Sequence, residues 1–293
     1  MYSGSIVALV TPMTASGEID FAAWDALVEW HLAEGSDGLV VCGTTGESPT
    51  VTLAEAVELT RRASARVRGR VPLIAGSGTN DTARSIERTR ELAEAGADAV
   101  LVVTPYYNRP TQDGLFQHFT AIADDSSVPV ILYNVPSRTG VDLLPDTAAR
   151  LASHPRIVSL KEATGNLARL AELQQRCGAE LELLSGDDPT AADAILAGAR
   201  GVISVTANVA PRAMRELAGT ALRGDAERAR EFDARLQVLH RALFVEPNPI
   251  PVKWGVERLG LIGAGIRLPL TPLAGEYHGT VREAMRAAGV QCD

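Results

Sequence analysis

The sequence predicts a closed (β/α)8 barrel carrying a C-terminal helical extension, and three observations predict it. Eight short apolar, β-branched runs recur, their starts mostly 24 to 33 residues apart and closing to about 20 at the end. Helical patterns lie between them, and no change of composition or linker rich in glycine or serine divides the chain. Strand then helix, eight times over, means a parallel sheet wrapped by helices, and eight units favour closure over an open doubly wound sheet.

The eight runs span 6–10, 38–42, 71–75, 99–103, 128–133, 157–160, 181–184 and 202–205. Between the first two, Phe21, Trp24, Leu27, Val28, His31 and Leu32 fall on one helical face, with Asp20 as cap and Gly35 as stop. Thr52 and Glu55 have capping-box spacing. Asn80 and Asn166 stand where the third and sixth helices are expected to begin, and Asp188-Pro189 reads as a cap with proline at the first helical position. Beyond Ala210, stretches 211–222, 225–244, 249–259 and 272–288 read as helices. Residues 1–224 are therefore expected to form the barrel and 225–293 a helical region packed on it.

At 293 residues and 46% hydrophobic, the chain can bury a full core, and its net charge of −8 argues against nucleic acid or an anionic membrane as partner. Three scattered cysteines, Cys42, Cys177 and Cys292, have neither zinc-ligand nor redox spacing, which fits a reducing, cytoplasmic setting. The N-terminus has no basic leader, and its apolar run is too short to span a bilayer. The five histidines fall away from the strand ends, and no histidine–carboxylate cluster has metal-ligand spacing, so no metal is expected.

Chemistry in such a barrel belongs to the C-terminal strand ends. There the chain carries Gly43-Thr44-Thr45-Gly46-Glu47, Gly76-Ser77-Gly78, Tyr106-Tyr107-Asn108, Tyr133 followed by Arg138, Lys161-Glu162, Gly186-Asp187 and Thr206-Ala207-Asn208. Only two of the 28 basic residues are lysines, Lys161 and Lys253. Arginine can replace lysine in a salt bridge but cannot form a Schiff base, so a lysine closing the buried run 157–160 marks an amine nucleophile. The glycine-flanked threonines offer amides and hydroxyls suited to a small carboxylate, although the same residues also suit an ordinary strand-to-helix turn. The Gly76/Gly78 pair lacks the third glycine of a dinucleotide fingerprint and reads as a tight turn. The loops after the last two strands lack a glycine-rich phosphate grip, and no serine sits in a nucleophile elbow.

GTTGE at 43–47, YYNRP at 106–110, YNVPSRTG at 133–140, LKEATG at 160–165 and GVISV at 201–205 closely resemble the dihydrodipicolinate synthase (4-hydroxy-tetrahydrodipicolinate synthase) family. The motifs occur in the family's order and cover most of the barrel. The resemblance implies a lyase of lysine and diaminopimelate biosynthesis that condenses pyruvate with L-aspartate-4-semialdehyde, with no cofactor beyond the covalent imine on Lys161. It implies that Tyr133, Thr44 and Tyr107 relay protons, Tyr107 reaching across a dimer interface. Thr45, Gly186 and Ile203 would hold pyruvate, and Arg138 the second substrate's carboxylate. It also implies a homotetramer built as a dimer of dimers.

The same superfamily includes N-acetylneuraminate lyase and keto-deoxy-sugar aldolases, which are the nearest alternative. Thr44-Thr45 and Arg138 point to the synthase branch. A catalytically silent binding or regulatory barrel is a remoter alternative, opposed by the intact Lys161, Tyr133, Thr44 and Tyr107. Ser48, Asn80 and Tyr106 match the site at which many bacterial members are inhibited by lysine. There, however, Arg84 stands where sensitive members have glutamate, and Leu53 and Ala56 where they often have histidine. A cation facing the lysine ammonium weakens binding, so feedback inhibition is expected to be weak or absent.

Overall fold

The computed structural model describes residues 2–292 and is built on eight parallel strands closed into a barrel in sequence order. These are β1 (Gly4–Ala8), β2 (Gly38–Val41), β3 (Leu73–Gly76), β4 (Ala99–Val103), β5 (Val130–Asn134), β6 (Ile157–Glu162), β7 (Glu182–Ser185) and β8 (Gly201–Ser204). All eight coincide with expected runs, with ends displaced by at most two residues. The main difference matters for chemistry: β6 continues through Lys161 and Glu162, so the lysine is paired within the sheet rather than standing beyond it.

The helices are α1 (Phe21–Glu34), α2 (Leu53–Val67), α3 (Thr82–Glu94), α4 (Gln112–Asp125), the single turn α5 (Pro136–Thr139), α6 (Pro145–Ala152), α7 (Leu167–Cys177), α8 (Ala191–Leu196), α9 (Pro211–Leu222), α10 (Ala226–Ala242), α11 (Ile250–Arg258) and α12 (His278–Ala287). Local chemistry sets most boundaries as expected. The Asp20 carboxylate accepts from Ala23 N–H, Gly35 closes α1 in the left-handed conformation, and Thr52 with Glu55 forms a full capping box. Asn166 caps α7 through Ala168 and Arg169 N–H.

Three expected boundaries are corrected. Asp81, not Asn80, caps α3, because its carboxylate reaches Arg84 N–H, while the Asn80 carbonyl is taken by the Asn108 side chain at 2.8 Å. Asp188 opens only a 3-10 turn, Asp188–Thr190; its carboxylate instead accepts from Val205 and Thr206 N–H, far away in sequence. The last helix starts at His278 after a 3-10 turn at Gly275–Tyr277, rather than at Pro272.

Two apolar layers hold the barrel. Inside it, Ile6, Ala8, Val40, Ile74, Ala99, Leu101, Ile131, Tyr133, Leu184 and Ile203 form one cluster, while the outward side chains pack against the helices. The alternation follows the period-2 geometry of a strand. The seam between β1 and β8 is pinned by Asn208, whose side chain accepts from Val10 N–H and donates to Ala8 O. Buried residues of α10, α11 and α12 share a core cluster with β1, β2 and α1, so the tail is packed into the molecule.

Candidate active site

Tyr133 on β5 and Lys161 on β6 are directly paired in register, and the next pair is Asn134 with Glu162. Successive side chains point to opposite faces. The first pair turns into the barrel, where both side chains are buried at 6% exposure and Lys161 Nζ lies 4.2 Å from the Tyr133 ring centroid. The second pair turns into the wall. There Asn134 donates to Glu162 and to Asp142, and Arg169 on α7 donates to both carboxylates at 2.9 and 3.0 Å. The carboxylate next to the lysine in sequence is thereby neutralised on the other side of the sheet. Among the described residues no carboxylate lies within ion-pair distance of Lys161, whereas the other lysine, Lys253, is paired with Glu47.

Lys161, Tyr133, Thr44, Thr45, Arg138 and Gly186 all line one cavity of about 250 Å³ at the C-terminal mouth of the barrel. Gly186 is required there by close approach, since a Cβ on it would stand 2.8 Å from Lys161 Cε. In the turn after β2, the N–H groups of Gly46, Glu47 and Ser48 bond back to Gly43 and Thr44 carbonyls. Those of Thr44 and Thr45 have no partner among the described residues, which leaves two adjacent donors for an anion. Fully buried Cys42 precedes this turn; burial pushes its thiol up to about 12, so it is no rival nucleophile.

Two expected site residues lie outside the cavity lining. Ile203 is packed in the barrel-interior cluster, 1% exposed. Tyr107 is 89% exposed and holds φ at +74°, a conformation that costs a bulky residue energy. The segment around it is fixed by Tyr107 N–H to Thr139 O, Asn108 to Asn80 O, and Arg109 to Gly140 O. Of the expected lysine-site residues, Ser48, Asn80 and Tyr106 are half-buried and Arg84 is exposed. No hydrogen bond among the described residues joins their side chains. Ala56 is fully buried in the core, so it offers nothing to a ligand.

Ser137, Asp187 and Val205, from the strand-end segments, also line the cavity, together with two residues that strand-end reasoning missed, Phe244 and Asn248. Phe244 and Asn248 come from the tail, between α10 and α11, and no strand-end pattern could have found them. The nearest signal was Lys253, a rare lysine in a proline-rich stretch. Among the described residues no cluster of three or more His, Cys, Asp or Glu could hold a metal ion, and no helix is long and apolar enough to cross a membrane.

The model of the dihydrodipicolinate synthetase family matches residues 1–288. A 4-hydroxy-tetrahydrodipicolinate synthase of Azoarcus sp. (strain BH72) is 56% identical over 291 residues, covering 99% of this chain and all of that one. A synthase of the same name from Stutzerimonas stutzeri (strain A1501) is 54% identical over 99% of both chains. Among solved structures, the chloride-inhibited dihydrodipicolinate synthase of Acinetobacter baumannii, complexed with pyruvate, superposes with a TM-score of 0.98. It is 48% identical over 99% of this chain and 100% of that one. The Aquifex aeolicus dihydrodipicolinate synthase gives 0.97 at 44% identity, covering both chains completely.

Proposed function

The chain belongs to the dihydrodipicolinate synthetase family, and on that premise we propose that it condenses pyruvate with L-aspartate-4-semialdehyde through a Schiff base on Lys161. One observation carries this reading: the amine of Lys161, free of any carboxylate among the described residues, shares one cavity with Tyr133 and the two unpartnered amides of Thr44 and Thr45.

The pyruvate carboxylate docks on those amides, which brings the ketone to Lys161. The amine adds to the carbonyl carbon, water leaves, and a protonated imine forms. That imine accepts the electron pair released when the methyl group loses a proton, giving an enamine. Tyr133 moves the protons at this centre, passing them to Thr44 and on to Tyr107 of a second copy. The enamine carbon attacks the aldehyde of the second substrate, whose carboxylate is held by Arg138. The substrate's amine then displaces Lys161, closing the ring and returning the free lysine. The lysine supplies the electron sink, so the reaction calls on no metal or separate cofactor.

Because Tyr107 lies on the protomer surface, the reading includes a dimer that completes the site, assembled as a homotetramer. A cytoplasmic setting belongs to it as well, supported by three free cysteines, two of them buried. The barrel 1–224 carries the chemistry and the region 225–293 packs on it. Borohydride reduction with pyruvate, followed by peptide mass mapping, tests the core claim. Pyruvate trapped on the Lys161 peptide is expected; no adduct, or an adduct on Lys253 alone, rules the mechanism out.

A further inference from the structure

The two elements assigned to hold substrate carboxylates sit on strands that are not neighbours: the Thr44–Thr45 turn follows β2, and Arg138 follows β5. Among the described residues no barrel side chain hydrogen-bonds one to the other. A tail residue does. Asn248, 5% exposed, donates from Nδ2 to Thr45 Oγ1 at 3.0 Å, and its backbone carbonyl accepts from Arg138 Nη2 at 3.3 Å. The direction of the first bond matters. As the acceptor of that bond, Thr45 Oγ1 keeps its own O–H free to donate, and a substrate carboxylate in the cavity is an acceptor.

One turn further along, Lys253 on α11 pairs with Glu47, the last residue of the same turn, and both side chains are at most 5% exposed. Burial pushes the Lys253 ammonium below its ordinary value, and Glu47 opposes that shift. The second Glu47 oxygen accepts from Arg267 N–H at 3.1 Å, and Glu47 itself holds φ at +58°. A second tail contact extends the grip: Arg267 also donates to Thr50 O and to both Glu55 oxygens at the start of α2. Desolvating a lysine–glutamate pair is weak as a source of stability, but it fixes geometry on both sides.

We propose that the C-terminal helical region is part of the substrate-binding machinery, with Asn248 and Lys253 as positioning residues that fix the Thr44–Thr45 turn and Arg138 relative to each other. This rests on the carboxylate roles assigned above. The tail sets the spacing between the two substrates: Asn248 acts on both, and the Glu47–Lys253 pair acts on the turn alone.

The test compares Asn248→Ala and the charge-deleted Glu47→Gln/Lys253→Met double variant with the wild type, in the intact full-length enzyme. Steady-state kinetics are measured with each substrate varied, alongside borohydride trapping with pyruvate and circular-dichroism melting. Asn248→Ala removes the side-chain bond to Thr45 but keeps the backbone carbonyl that Arg138 meets. It is therefore expected to raise KM for pyruvate up to about tenfold, the scale of one lost hydrogen bond, with KM for the aldehyde within about twofold and kcat altered less than about threefold. The double variant is expected to raise KM for pyruvate by a similar factor and to leave KM for the aldehyde within about twofold. General loosening of the fold would not divide the substrates in this way. If the double variant does not fold, Asn248→Ala decides alone. Wild-type trapping on Lys161 with KM for pyruvate unchanged in folded Asn248→Ala overturns the brace and leaves the Schiff-base reading standing. Failure of the wild type to trap pyruvate overturns that reading and the brace with it.

Discussion

Gly186 and Lys161 lie so close that a methyl group on the glycine would stand 2.8 Å from Lys161 Cε and 2.7 Å from Ala163 Cβ. The lysine stem has no room to yield on that side without moving its amine. Gly186→Ala is expected to lower kcat/KM about a hundredfold, the usual consequence of displacing a reacting group by roughly 1 Å, and to lower the melting temperature as well, because Ala163 Cβ cannot swing aside. Parallel kinetics and thermal melts check this; wild-type turnover in a folded variant contradicts it.

Tyr133 and Tyr107 differ in burial, 6% against 89%, and only the first lines the cavity. Tyr133→Phe is expected to slow turnover about a hundredfold or more, and Tyr107→Phe by about one to two orders of magnitude. Turnover near wild type in Tyr107→Phe would remove it from the proton relay. Diluting the enzyme until sedimentation shows monomers should cause a loss of specific activity comparable to that in Tyr107→Phe.

Arg84 carries an exposed guanidinium whose nearest carboxylate, on Asp81, is 3.9 Å away. It would oppose a lysine ammonium arriving beside Ser48, Asn80 and Tyr106. Half-inhibition by lysine is expected only above about a millimolar, and Arg84→Glu should lower that concentration. Inhibition curves at saturating substrates decide the point; half-inhibition of the wild type well below a millimolar would refute it.

His31 is fully buried, and burial pushes its pKa from 6.5 to about 3. His118 is lowered to about 4 for the same reason. Both stay neutral in the folded chain at pH values where the unfolded chain takes up protons. Their contribution to stability is therefore complete above about 6.5 and is lost as the pH falls toward those lowered values. Each proton adds a slope of about 1.4 kcal/mol per pH unit within its window. His31→Asn should flatten the dependence of unfolding free energy on pH between 6.5 and 4, as read from urea titrations. An unchanged slope would mean that other groups dominate.

How much of this was legible in the sequence depends on the range of the interaction concerned. The barrel was legible because each strand and helix announces itself through local periodicity, and caps such as Asp20 and Thr52 act within three residues. Lys161 was legible through its rarity and its place at a strand end. Asp188 was misjudged because its carboxylate serves amides of Val205 and Thr206 rather than its own helix. Asn80 was misjudged because the Asn108 side chain claims its carbonyl. Asn248 was out of reach altogether: its partners, Thr45 and Arg138, are 203 and 110 positions away.

The seam between β1 and β8 imposes an order on synthesis. Asn208, which stitches it through Ala8 O and Val10 N–H, leaves the ribosome about 200 residues after its partners. At about 5 to 20 residues per second, β1 must wait some 10 to 40 s with one edge unpaired and its apolar side chains uncovered. The nascent chain is thus an open, adhesive ribbon for most of its elongation. The open edge of β1 is a hazard of the growing chain and not of the finished barrel, where pairing with β8 leaves no free edge.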